Sequence, residues 1–278
     1  MKRLFLTSIP VVAFLLLVFG LFAFVPNSAA SDFFLHSSTN DFLDNTSPTA
    51  TTAKFKDSAA VNRTTYQEIG TWSAAPAATW MRLTSLSDLH VWIGLKNSDD
   101  QGTYFDLRAE LRKNGVVIAS GETKTIQGVT RNPDLAKEVA VAFGPVSGDQ
   151  FNPGDVLSIK ILTKVADNGG HNNAVGLRLY YDAVSRPSSF GALFLVDTTP
   201  PMVAAAVNPA PNAAGWHKTD ATVSFTCSDS ESGVASCSAP ITVSTEAANQ
   251  LISGTATDLA GNSASTSVLI SLDKTAPS

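Results

Sequence analysis

From Asp88 onward, apolar and polar residues alternate with a period of two, as in a half-buried strand whose successive side chains point to opposite faces. Leu89, Val91, Ile93 and Leu95 alternate with His90, Trp92, Gly94 and Lys96. The next run sets Phe105, Leu107, Ala109 and Leu111 against an alternating-charge face of Asp106, Arg108, Glu110 and Arg112. Lys113-Asn114-Gly115 is a hairpin turn, because Asn-Gly tolerates the positive φ of tight turns, so residues 116–120 return antiparallel. Val139/Val141/Phe143, Leu157/Ile159/Ile161/Val165 and Val175/Leu177/Leu179/Tyr181 continue the pattern. Gly144-Pro145, Asn152-Pro153-Gly154-Asp155 and Asp167-Asn168-Gly169-Gly170 supply turns between them. Residues 33–76 are Ser/Thr-rich and less regular. No apolar period of 3.6 persists beyond the first thirty residues, so helix is expected only in short turns such as 133–137. Residues 31–195 therefore read as one antiparallel β-sandwich, with a jelly roll as one arrangement of it.

A second unit, 197–277, opens at Asp197-Thr198-Thr199-Pro200-Pro201, where two prolines fix φ and stiffen the joint. Short strands follow at Val223/Phe225/Cys227, Ile241/Val243, 251–257 and Val268/Ile270/Leu272. Asp273-Lys274-Thr275-Ala276-Pro277 repeats the Asp-x-Thr-x-Pro joint 76 residues later, a period suited to one small β-sandwich. The chain stops one residue beyond it, so either the natural product continues or the gene is cut short.

The N-terminus differs. Lys2 and Arg3 precede an uncharged apolar run over 11–25, and Asn27-Ser28-Ala29-Ala30 is a small-residue segment before Ser31-Asp32. This is the order of parts in a secretory signal peptide, a helix over 1–30 cleaved between Ala30 and Ser31. The competing reading is an uncleaved anchor, since 4–25 is long enough to span a bilayer. No later stretch is apolar enough to do so, and the mature chain is expected to have no membrane span. Of the 278 residues only 15% are charged, against roughly 25% in an average globular protein. The net charge of −5, made more negative by loss of Lys2 and Arg3, argues against nucleic acid as a partner. Cys227 and Cys237 are the only cysteines, and in an exported chain they are expected to form a disulfide across a hairpin turning near Glu231-Ser232-Gly233.

Gly215-Trp216-His217-Lys218-Thr219-Asp220, the segment Val223 through Asp229, Ser232-Gly233-Val234-Ala235-Ser236-Cys237 and Gly254-Thr255-Ala256-Thr257-Asp258-Leu259-Ala260-Gly261-Asn262 closely resemble the bacterial Ig-like repeats of extracellular and cell-surface proteins. The resemblance covers 197–277 and implies an Ig-like sandwich without catalytic residues. The segments around Asp88-Leu89-His90-Val91-Trp92 and 99–108 are similar to uncharacterised secreted β-sandwich modules. Together these imply an all-β, non-catalytic, bacterial secreted or cell-surface protein that acts in adhesion or binding, or as a structural spacer. Its ligand would be an unidentified protein or glycan. The alternative is a carbohydrate-binding module of a larger secreted hydrolase, with His90 and Trp92 on the exposed face as the candidate ligand-binding pair, weighed against Trp92 lying in the core.

Other chemistry is thin. The four histidines lack metal-binding spacing, no nucleophile elbow or phosphate loop occurs, and no catalytic residue or cofactor is assigned. Asp106 and Glu110 share a strand face, but Arg108 and Arg112 beside them point to a solvated charge ladder. Asn97-Ser98-Asp99-Asp100-Gln101-Gly102 has Arg108 where a twelve-residue calcium loop needs Glu, and reads as a turn. Asp197, Asp229 and Asp258 could meet at one pole of the Ig-like unit and hold calcium, although their spacing does not require it.

Overall fold

The computed structural model describes residues 27–168 and 170–276, and these are nearly all β, with no α-helix. Before the joint lie β1 (Asn27–His36), β2 (Phe42–Asp44), β3 (Lys54–Asp57), β4 (Val61–Asn62), β5 (Gln67–Ala74), β6 (Met81–Leu86), β7 (Leu89–Leu95), β8 (Phe105–Lys113), β9 (Val116–Ile126), β10 (Lys137–Val141), β11 (Gln150–Phe151), β12 (Leu157–Val165), β13 (Asn173–Ala174), β14 (Leu177–Tyr181) and β15 (Ser189–Val196). After it come β16 (Met202–Asn208), β17 (Trp216–His217), β18 (Ala221–Ser228), β19 (Val234–Cys237), β20 (Ile241–Val243), β21 (Ala247–Asp258) and β22 (Ser263–Leu272). Short 3₁₀ turns at Ser98–Asp100 and Pro133–Leu135 complete the regular structure, the second within the stretch where a helical turn was expected.

The first unit is built on a thirteen-stranded sheet ordered β3-β14-β7-β15-β1-β2-β5-β12-β8-β9, with β10 added to β7, β6 to β15 and β11 to β6. Its pairs are antiparallel except β2 with β5. The sheet wraps one core in which Leu89, Val91, Ile93, Phe105, Leu107, Leu111, Ile159, Ile161, Leu177 and Leu179 are fully buried. Each lies at an apolar position of the sequence alternation, because a strand with one face on the core buries every second residue. Val175 departs from the pattern. It precedes β14 and is exposed, while its N–H is taken by the carboxylate of Asp100.

Asn114 and Gly115, both at positive φ, make the β8–β9 turn. Further along β9, a Cβ on Gly121 would stand 2.0 Å from the carbonyl oxygen of Ala142, so only glycine lets β9 pass the segment that follows β10. The Ser/Thr-rich region holds β1 to β5, and its β5 places Trp72 at the core with no exposure. β1 and β15 pair from Asn27 opposite Val196 to Phe34 opposite Ser189, so the first and last strands of the unit lie side by side. The expected cleavage junction, Ala30 and Ser31, falls within β1, opposite Leu193 and Ala192. The expected leader helix lies, apart from residues 27–30, outside the described residues. Among the described residues no helix is long and apolar enough to cross a membrane.

After the joint, a three-stranded sheet β16-β18-β20 and a four-stranded sheet β17-β22-β21-β19 share a separate core. Ala221, Val223 and Val243 from the first meet Ile270 and Leu272 from the second. Phe225 closes over Gly254, where a Cβ would come within 2.3 Å of its ring.

Cys227 and Cys237 form the expected disulfide, with their Cα atoms 6.0 Å apart. The hairpin expected to carry it is absent. Cys227 belongs to β18 and Cys237 to β19, and these strands are in different sheets. The reason is local: one oxygen of Asp229 accepts the N–H groups of Glu231, Ser232 and Gly233, and Gly233 at φ +88° redirects the chain out of the first sheet and into the second.

Candidate functional site

Three carboxylates gather at the pole of the second unit nearest the joint. Asp197 follows β15 directly, Asp229 follows β18, and Asp258 ends β21, so the linker and both sheets each contribute one. One oxygen from each lies within 4.8 Å of the others. Asp197 and Asp258 are buried and Asp229 is half-buried.

Each carboxylate is oriented by the backbone around it. Asp197 accepts from the N–H of Thr199 at 2.8 Å and of Ser232 at 3.0 Å. Asp258 accepts from the N–H of Asn262 at 2.8 Å and from its side-chain amide at 2.9 Å. That amide also donates to the carbonyl oxygens of Asp197 and Thr199, tying the linker to the β21–β22 turn. Gly261, at φ +95°, gives this turn the backbone conformation that returns Asn262 to Asp258.

Charge is concentrated here without a basic partner among these contacts. Burial raises Asp197, but donors from Ser232 and Thr199 outweigh it and hold the carboxyl below its usual range. Glu231 is pushed the other way, by burial first and then by the neighbouring Asp197 and Asp229. Ser232 is 96% buried, since only 4% of its surface is exposed. Its hydroxyl lies against the Asp197 carboxylate but outside hydrogen-bond geometry. A buried hydroxyl without a well-formed hydrogen bond costs about 1–3 kcal/mol, a cost removed when its oxygen meets a cation. Converging carboxylate oxygens, with a buried hydroxyl against one of them and no nitrogen or sulfur ligand in the group, are a hard-cation donor set.

His90, Trp92, Asp106, Glu110 and the 97–102 segment, also singled out from sequence, lie in the first unit and are not part of this cluster. Trp92 is half-buried in β7, opposite Tyr180 of β14 and Glu138 of β10, and Phe55 of β3 faces Tyr180 in turn. The Arg178 guanidinium stacks 3.7 Å from the Phe55 ring and that of Arg186 lies 5.8 Å from Tyr180. Trp92 thus belongs to a cross-strand row whose neighbouring rings lie beneath guanidinium groups. His90 is exposed beside it, with Nδ1 3.0 Å from Glu138 Oε1.

The Asp100 carboxylate accepts the N–H groups of Val175 and Gly176, so the 97–102 segment is a loop anchor. Glu110 meets Arg112 at 2.8 Å, as in the expected ladder, but Asp106 is buried rather than solvated, with Lys164 Nζ at 3.4 Å and the Thr125 N–H donating to it, and Arg108 turns to Glu122 instead. One cluster had no sequence signal. His36 is buried with Nδ1 2.7 Å from Asp182 Oδ1, and Nε2 donates to the carbonyl oxygen of Thr46 at 2.9 Å. Asp182 lies 146 positions away, and no local pattern announces the pair.

An apolar hollow of about 360 Å³ opens on the first unit between β1, β5, β6 and β15. Phe33, Met81, Phe151 and Phe194 line it together with the run of small residues 74–78.

No protein-family model matches the chain, and no curated protein does. Solved structures similar to it include an aminopeptidase from a marine-sediment Thaumarchaeota archaeon, at 9% identity and TM-score 0.44 over 60% of this chain and 37% of that one. A CocE/NonD family hydrolase from Staphylococcus aureus is similar at 13% identity and TM-score 0.42, over 61% and 37%. An α-amino acid ester hydrolase is similar at 11% identity and TM-score 0.41, over 58% and 35%. The chain thus spans little more than a third of each. On this finding two expectations are withdrawn: a non-catalytic adhesion, spacer or carbohydrate-binding protein, and a chain that is not an enzyme. The physical ground for the second was the absence of a local motif, which says nothing of groups brought together by the fold. The likeness itself carries over no residue and no reaction.

Proposed function

We propose that this chain is an exported protein of two β-sandwich units, the second Ig-like, and that it binds a calcium-class cation where they join. The observation that carries this reading is the convergence of Asp197, Asp229 and Asp258 within 4.8 Å, with the buried hydroxyl of Ser232 beside Asp197. Two oxygens on opposite sides of a calcium ion, each at about 2.4 Å, stand about 4.8 Å apart, so the spacing suits one ion. Magnesium would demand shorter bonds in a near-ideal octahedron, which carboxylates fixed by backbone N–H groups are poorly placed to supply. The disulfide supports export, as such bonds persist in oxidising compartments.

The test is calorimetric titration of calcium and magnesium into chelator-treated protein, repeated on Asp229→Asn/Asp258→Asn. The expected result is one calcium per chain, weaker magnesium binding and loss of both in the variant. A cation present at about a hundred times its dissociation constant should stabilise the second unit by about 2.7 kcal/mol. Absence of saturable heat from a folded protein would overturn the reading.

A further inference from the structure

We propose that the apolar hollow of the first unit binds a small hydrophobic primary amine, its ring or branched chain among the phenylalanines and its ammonium group toward Asp44. This goes beyond the cation site, which is built from the linker and the second unit and shares no residue with the hollow. The volume of about 360 Å³ is within the range of small-ligand pockets, and Leu43, Phe151 and Phe194 give it a buried apolar floor. Phe194 meets Phe33 edge-on at 6.3 Å and Phe151 edge-on at 5.9 Å, so ring edges and faces are both presented to an incoming aromatic group.

The sign of the ligand follows from the rim. Among the described residues its charged groups are Asp44 and Asp155, and no lysine, arginine or histidine lines the hollow. Asp155 is committed, since Lys113 Nζ sits 2.9 Å from Oδ2 and Asn114 donates to Oδ1 at 2.7 Å. Asp44 is more open. One oxygen accepts the Thr46 N–H and faces His36 Nε2 at 3.1 Å, while 41% of its side-chain surface remains exposed. An ammonium gains at such a rim, a neutral analogue does not, and a carboxylate is repelled.

The experiment titrates phenethylamine, phenethyl alcohol and phenylpropionate into the whole protein, followed by methyl shifts in NMR. Saturable binding in the order amine, alcohol, carboxylate is expected, with perturbed signals from Met81 and Leu43. Ala78→Phe, at an exposed wall position, should weaken the amine at least about tenfold with the melting curve unchanged. Asp44→Asn should erase the preference for amine over alcohol. The proposal is overturned by equal binding of the carboxylate, by amine binding that Ala78→Phe leaves intact, or by no saturable shift.

Discussion

Two tyrosines report on how firmly the first unit holds its side chains. Burial, reinforced by Glu122 and Asp106, pushes the Tyr66 phenol up to about 12, and burial with Asp41 nearby does the same for Tyr181. The unfolded chain releases these protons near 10, whereas the folded chain keeps them to about 12. Their contribution to stability is therefore complete below pH 10 and is lost as pH rises from 10 to about 12. Phenolate absorbance should show Tyr66 and Tyr181 ionising late in the native protein and all four tyrosines together in urea. Unfolding midpoints that do not fall across this window would contradict the assignment. At this scale the sequence was informative wherever a side chain acts within its own strand, as for Leu89, Val91 and Ile93 or the pair Glu110 and Arg112. It was silent where partners are remote. His36 and Asp182 give no such signal, whereas Asp197, Asp229 and Asp258 were legible as acids able to meet at one pole, although their spacing did not require it and the meeting depends on two sheets and a linker.

At the scale of elements, the alternation located most strands because burial of one face imposes it. β8, β12 and β14 were legible in this way, whereas β1 to β5 were not, since Ser and Thr occupy so many positions in and between them. Pairing order was less accessible still, for β1 finds its partner in β15 at the far end of the unit. The disulfide teaches the same lesson. Spacing announced the bond but not that it joins two sheets, which follows from the three N–H groups gathered by Asp229. Cys227→Ser/Cys237→Ser should cost the second unit roughly 2–3 kcal/mol, the entropy of a short closed loop, and leave the first unit's melting unchanged. Gly254→Val should cost more than about 2 kcal/mol, because its side chain must displace the Phe225 ring from the core. Denaturant melts followed by a probe in each unit would check both, and equal losses in the two units would refute the separation of cores.

For the whole molecule, two buried clusters with no residue in common imply two cooperative units. Calorimetry should resolve two transitions, with calcium raising only the one assigned to residues 197–276. A single transition moved by calcium would mean that the units melt together. The pairing of β1 with β15 has a consequence of another kind. The first and last described strands of the first unit run side by side, with Asn27 opposite Val196 about 5 Å across one ladder. A unit whose ends meet in this way can be spliced into a surface loop of a host protein without stretching either partner. By the same geometry its ends can be fused and new ones cut at the Asn114-Gly115 turn, giving a circular permutant that keeps every strand pairing of the original.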